Sequence, residues 1–248
     1  MSKTILITGG SRGIGRAAAI QAASRGWSVA VNYATNASAA EETVDKIRSA
    51  GGKAVAIQAD VTDEAAVIAM FDATQAAFGP IDGFVNNAGI VAPGSALADM
   101  DLARLKRVFD TNVLGAYLCA REAARRMSLT RGGKGGSIVN LSSAAARLGA
   151  PNEYVDYAGS KGAIDALTIG LSKELGPQGV RVNAIRPGLI DTEIHASGGK
   201  PDRAAVLGVQ TPIGRPGTAD EVAESIVWLL SDASSYVTGA ILDVTGGR

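Results

Sequence analysis

The sequence predicts an α/β fold in which a mainly parallel sheet is covered on both faces by helices. Three observations predict it. Short apolar runs recur along the chain, separated by stretches with helical periodicity. The first run ends in a glycine-rich turn that opens a helix, a geometry that lets bare backbone N–H groups approach a phosphate. Finally, the chain has 248 residues, 46% of them hydrophobic, and no Pro/Ser-rich linker divides it. One extended core, a single domain over 1–248, is therefore expected.

The elements follow in order. Residues 4–8, Thr-Ile-Leu-Ile-Thr, read as a buried strand, and 16–24 as an Ala-rich helix. Further strand-like runs fall at 28–33, 53–58, 82–86, 136–142, 180–185 and 240–244, which makes seven strands. Helical patterns lie at 37–50, 63–78, 102–127, 154–175 and 220–230. Strands alternating with long helices mean βαβ units and a parallel sheet. The run Gly132-Gly133-Lys134-Gly135-Gly136 is short and reads as a surface loop feeding the fifth strand.

Composition excludes several functions. The formal charge is zero and the pI near 6.6, so no basic field recruits nucleic acid or anionic membrane. Cys119 is the single cysteine, which excludes a disulfide framework or a zinc cluster within one chain; it reads as a small buried apolar residue, and no metal is expected. No apolar run approaches the roughly 18 residues of a membrane span, and no signal-peptide core opens the chain, so a cytoplasmic location is expected.

Two motifs carry chemistry. The turn Gly9-Gly10-Ser11-Arg12-Gly13-Ile14-Gly15 spaces its glycines G-x-x-x-G-x-G and reads as a nucleotide site. It also fits the G-x-S-x-G nucleophile elbow. That reading needs strands upstream and an acid and a histidine downstream, but only eight residues precede Gly9 and His195 is the single histidine. The second motif is Tyr157-Ala158-Gly159-Ser160-Lys161, a tyrosine and a lysine stacked on one helix face. A fixed ammonium beside a phenol can lower its pKa from about 10 toward roughly 7 or 8, which asks for about 3–4 kcal/mol of phenolate stabilisation.

Assembled in order, these pieces resemble the short-chain dehydrogenase/reductase family over the full length, and in detail bacterial 3-oxoacyl-carrier-protein reductases and sugar 1-dehydrogenases. Residues 8–15 resemble the cofactor turn, Asp60-Val61 the adenine-side pair, and Asn86-Asn87-Ala88-Gly89 the loop after the fourth strand. Asn112, in Thr111-Asn112-Val113, matches the helix asparagine, and Pro187-Gly188 with Thr192 the segment beside the nicotinamide. The resemblance implies a Rossmann-like doubly wound sheet and an NAD(P)-dependent oxidoreductase interconverting a carbonyl and a secondary alcohol. It implies Asn112, Ser143, Tyr157 and Lys161 as the catalytic set. Tyr157 would be the general acid/base, Ser143 the donor to the oxyanion, Lys161 the grip on the nicotinamide ribose, and Asn112 the holder of a water. Cofactor contacts are expected from Gly9, Ser11, Arg12, Gly13, Ile14 and Gly15; from Asn32, Tyr33, Asp60 and Val61; from Asn87, Ala88 and Gly89; from Tyr157 and Lys161; and from Pro187, Gly188, Ile190 and Thr192.

Some details are specific to this chain. Ser143 precedes Tyr157 by 14 residues where the family usually has 13; the extra residue is assigned to the 149–153 loop. Ser142 would point to the opposite face of its strand. Tyr154 is a decoy, because position 158 is alanine and not lysine. No carboxylate occurs in residues 1–40, whereas Lys3, Arg12, Arg16 and Arg25 do, and Arg12 matches the basic position of NADP-preferring relatives. NADP is therefore expected, NADPH preferred, with NAD as an alternative and with Asn32, Thr35 and Asn36 as neutral donors. A dinucleotide sensor without turnover typically lacks the Tyr/Lys pair that is present here. Residues 189–216 are expected to form a substrate lid, working with the 147–153 loop, and His195 in that lid is expected at the surface. Residues 102–127 and 154–175 carry apolar stretches wider than one core-facing stripe, and the resemblance implies that these helices pair with a second copy, in a homotetramer or at least a dimer.

Overall fold

The computed structural model describes residues 2–248. Strand β1 (Thr4–Ile7) runs into α1 (Gly13–Ser24), followed by β2 (Ser28–Tyr33), α2 (Ala37–Ser49), β3 (Lys53–Gln58), α3 (Glu64–Phe78) and β4 (Gly83–Asn86). The second half contains α4 (Leu102–Phe109), α5 (Ala116–Met127), β5 (Gly136–Leu141), α6 (Ala145–Leu148), α7 (Val155–Leu175) and β6 (Val180–Pro187). It continues with β7 (Ile190–Asp191), α8 (Ile194–Ser197), α9 (Arg203–Gly208), β8 (Gly217–Thr218), α10 (Ala219–Leu230) and β9 (Ile241–Val244).

Seven strands form one parallel sheet in the order β3-β2-β1-β4-β5-β6-β9, a Rossmann-like arrangement. The direction of winding reverses between β1 and β4, and the crevice beyond their carboxyl ends is where such sheets bind ligands. Both faces are covered because both faces are apolar. Ile5 and Ile7 pack on one side with α1 and α10, while Leu6, their neighbour, packs on the other with Phe71 and Phe84. On α1 the buried residues are alanines and Gly15, so the helix can approach the sheet closely.

Caps mark the helix starts the sequence pattern suggested. Asp63 accepts from Ala65 N and Ala66 N, Asp101 from Arg104 N, and Thr218 with Glu221 closes a capping box on α10. The helical pattern at 102–127 is present over its whole length, with a π turn at Asp110–Gly115 inside it. There Gly115 lies so close to Val61 that an added Cβ would meet its side chain at 2.8 Å; single π turns inside α-helices are rare and frequent at functional sites. Residues 189–216, which carry no strand or helix pattern in the sequence, contain α8 and α9. The parallel pairing of β7 with β8 ties the two ends of this segment together.

Candidate active site

The site begins with the turn after β1. Gly9 has φ +62°, a left-handed conformation that favours glycine, and a Cβ on Gly15 would stand 2.3 Å from the Gly9 carbonyl oxygen. Asn87 holds this turn from the far side of the switch point, its Nδ2 donating to Thr8 O at 2.8 Å and Gly9 O at 3.1 Å. Thr8 Oγ1 in return accepts from the backbone of Asn87 and Ala88. Arg12 occupies the N-cap of α1 without a side-chain capping bond, so the amides of the first turn remain open to an anion. The fit to a dinucleotide phosphate rests on this cradle: glycines where a side chain would intrude, and a helix start with no acid in its first turn.

Of the four cations in the first 40 residues, three have partners. Lys3 pairs with Asp232, Arg16 with Glu42 and Arg25 with Glu224. Arg12 is exposed and makes no ion pair among the described residues. The expectation for Asn32 is corrected. Its side chain is buried and already engaged, accepting from Gly9 N at 3.2 Å and donating to Ala59 O at 3.0 Å and Ile57 O at 3.3 Å. It staples the turn to the ends of β2 and β3 and has no donor left for a phosphate. Asn36 caps α2 by accepting from Ala39 N. Asp60 folds back on its own turn, accepting from Thr62 N and Oγ1, and Val61 is buried beneath the π turn. Tyr33 is half-buried at the end of β2.

The reacting groups meet at the end of β5 and the start of α7. Lys161 is 5% exposed; its Nζ donates to Leu141 O at 2.6 Å and lies 5.7 Å from the centre of the Tyr157 ring. Burial pulls the ammonium down from 10.5 to about 8, against the opposing charge of Asp165 one turn along. Burial likewise raises the Tyr157 phenol, and the hydrogen bond from Ser143 offsets only part of this. The Tyr/Lys spacing leads to an expectation of a depressed phenol, whereas in this structure burial is the larger influence and acts upward. Ser142 donates to Lys161 O, which takes it away from the reacting face and leaves Ser143 as the serine beside the phenol. Asn112 is also engaged, accepting from Ile90 N at 2.8 Å and donating to Ile90 O and Ser160 Oγ. It clamps the loop after β4 onto α7 from within the π turn.

A cavity of about 490 Å³ joins these pieces. Ile14, Asn87, Gly89, Pro187, Gly188, Ile190 and Thr192 line one side of it, and Ser143, Tyr157 and Lys161 are in its wall. Gly188 is needed there because a Cβ would stand 2.7 Å from Thr245 Cα. Gly9, Ser11, Arg12, Gly13 and Gly15 of the turn, Asn32 and Tyr33 on β2, Asp60 and Val61 after β3, and Ala88 and Asn112 lie outside this lining. Several lining residues were not picked out as site residues. Tyr154, set aside as a decoy, is buried in the wall under Arg203, whose guanidinium lies 5.2 Å from its ring centre. His195, expected at the surface, is half-buried with Nε2 2.9 Å from Ile190 O, and burial lowers its pKa. Glu153 is gripped by Lys200 and Arg203; burial would raise its carboxyl, but these partners hold it below its ordinary value. Nothing in spacing alone marks these residues, since they converge only when α9 and the 149–153 loop fold together. Asp165 had a signal: it stands four residues beyond Lys161, the same spacing as the Tyr/Lys pair.

Comparison with known proteins agrees with this geometry. A family model described as enoyl-(acyl carrier protein) reductase matches residues 9–248. The uncharacterized oxidoreductase YgfF of Escherichia coli is 55% identical, covering 98% of each chain. An L-rhamnose 1-dehydrogenase (NAD(P)(+)) of Sphingomonas is 40% identical over 99% of this chain and 95% of that one. Among solved structures, a short-chain type dehydrogenase/reductase from Mycobacterium marinum superposes with a TM-score of 0.92 at 39% identity, covering 99% of this chain and 94% of the other. A short-chain dehydrogenase from Burkholderia cenocepacia in complex with NADP superposes at 0.89 with 35% identity, covering 99% and 97%.

Proposed function

Because the chain belongs to the short-chain dehydrogenase/reductase family and is an oxidoreductase of that type acting on CH–OH donors, we propose that it interconverts a carbonyl and a secondary alcohol with NADP(H), using Tyr157 as general acid/base. The observation that carries this reading is the convergence of Ser143, Tyr157 and Lys161 in one cavity wall beside the glycine turn. When bound, a nicotinamide supplies or accepts the hydride. As negative charge gathers on the substrate oxygen, Tyr157 donates its proton and Ser143 its hydrogen bond. A phenol raised by burial is protonated at neutral pH, which suits it to donation in the reducing direction. Lys161 gives one N–H to Leu141 O and keeps donors for the ribose hydroxyls. The Asn112 carboxamide is engaged by Ile90 and Ser160, so its part is to hold the loop and α7 in register, and any water it holds is at its main chain.

We read residues 1–248 as one dinucleotide-binding domain with a lid at about 189–216. The β7–β8 pairing ties the lid's ends, and Glu153 ties its middle to the 149–153 loop. The free Arg12 and the absence of any carboxylate in residues 1–40 favour NADPH. A second reading, sugar or polyol dehydrogenation with NAD(P), draws on the similarity to L-rhamnose 1-dehydrogenase. Oxidation of NADPH and NADH against carbonyl compounds, with the Tyr157→Phe variant as control, tests both readings. Turnover that survives in the variant rejects Tyr157 as the acid.

A further inference from the structure

We infer that the substrate is a compact ketone with an apolar, ring-shaped body, and that Tyr154 is the wall that selects it. This rests on the carbonyl–alcohol reading above. Tyr154 sits at the N-cap of α7, three residues before Tyr157, and both side chains line the same cavity. It is 7% exposed and lines the same cavity. Arg203 covers its ring, and Glu153 holds Arg203 at 2.7 Å and Lys200 at 2.6 Å. An aromatic wall braced in this way is preorganised for a flat or cyclic partner.

The rest of the outer cavity is apolar. Val91, Leu148, Pro151, Leu189 and Ile194 complete it. Most of its other polar side chains already have partners: Glu153 and Arg203 hold each other, and His195 Nε2 bonds Ile190 O, which leaves Thr192 and Arg248. A polyhydroxylated sugar would exchange water for walls that offer too few replacement hydrogen bonds. A carrier-bound thioester would need room for a long arm and free cations at the rim. The cavity of about 490 Å³ must also take the nicotinamide, and with Lys200 and Arg147 paired to Glu153 and Asp243, Arg248 is the one unpaired cation at the rim among the described residues, too few for a polyanionic arm. Arg248, exposed at the mouth, tolerates a carboxylate at the far edge of the ring without altering the apolar middle.

Steady-state kinetics on the purified protein test this in both directions. The probes are 4-methylcyclohexanone and acetophenone against acetoacetyl-coenzyme A for reduction, and 4-methylcyclohexanol against glucose for oxidation. The ring compounds should lead in kcat/KM by at least about tenfold. Tyr154→Ala should raise KM for the ring ketone by about tenfold or more, with kcat and cofactor affinity changed little, and Tyr154→Phe should stay near wild type. Should Tyr154→Ala misfold, Leu148→Ser, at an exposed position on the cavity lip, carries the same KM test. Preferred turnover of the sugar or the thioester, or a ring-ketone KM unmoved by the folded wall variant, overturns the ring-ketone inference and leaves the carbonyl–alcohol reading standing. An absence of Tyr157-dependent turnover across the whole panel overturns both.

Discussion

The Lys161 ammonium donates to the Leu141 carbonyl at 2.6 Å and stands 5.7 Å from the centre of the Tyr157 ring, so strand β5, more than the tyrosine, sets the position of the lysine. A buried cation with one backbone acceptor is held at a cost to the fold. In the folded protein Lys161 titrates at about 8 against 10.5 ordinarily. The unfolded chain therefore binds more protons between these values, and stability rises with pH across that window; below it the cost is present in full. Lys161→Met should stabilise the protein at neutral pH, by up to roughly 3 kcal/mol from the size of the shift, while abolishing turnover. Thermal melts from about pH 7 to about 10 check it: the wild type should gain stability relative to the variant as pH rises. A variant that melts lower than wild type at neutral pH would contradict the burial argument.

Tyr157→Phe should remove turnover while leaving cofactor affinity within a few fold. Tyr154→Phe should be comparatively mild, because the ring and its Arg203 contact survive. Since burial raises the Tyr157 phenol, reduction should be nearly flat through neutral pH and alcohol oxidation should climb with pH as phenolate forms. Rates in both directions, with residual activity above a few per cent in the Phe variant as the adverse result, decide it.

Arg12→Ala should erase most of the preference for NADPH over NADH, expected at about 1–3 kcal/mol from a hydrogen bond to a charged group. The prediction is sharper than charge counting allows, because Lys3, Arg16 and Arg25 are paired elsewhere. Binding titrations with both cofactors measure it, and a higher efficiency with NADH in wild type would contradict it.

A homotetramer, or at least a dimer, is expected in solution. Phe109, Leu114 and Tyr117 near the π turn and Ile169 on α7 are 40–58% exposed, as suits two helices that pair with a second copy. Trp228 on α10 and Leu242 on β9 offer a second contact. Light scattering at micromolar concentration checks the mass; a stable monomer refutes it.

The seven strands and the glycine turn were legible because they rest on local rules: apolar runs, their spacing, and a helix start. Ser143, Tyr157 and Lys161 were legible as an ordered motif, and they do meet in one wall. The π turn at Asn112 was not, because it packs through Gly115 against Val61, about fifty residues distant in sequence, and no local pattern shows that contact. The polar clamp of Glu153, Lys200 and Arg203 around Tyr154 was hidden for the same reason. Its loop also holds Ala150 at φ 45° and Asn152 at φ 60°, left-handed conformations in a stretch with one more residue than the family's usual spacing. The upward direction of the Tyr157 shift was not legible because sequence does not show how deeply the phenol is buried.

The staple made by Asn32 bears on how cofactor choice can be redesigned. The intuitive route to an NAD-selective variant writes an acid into the last residues of β2. At position 32 that substitution would set carboxylate oxygens against the carbonyls of Ile57 and Ala59, which now receive N–H donors, and would loosen the turn that depends on the same side chain. Ala34, exposed immediately past the strand, is the place where an acid can be introduced with the scaffold left intact. The route to new selectivity runs one step beyond the strand's end, through a residue whose side chain holds nothing together.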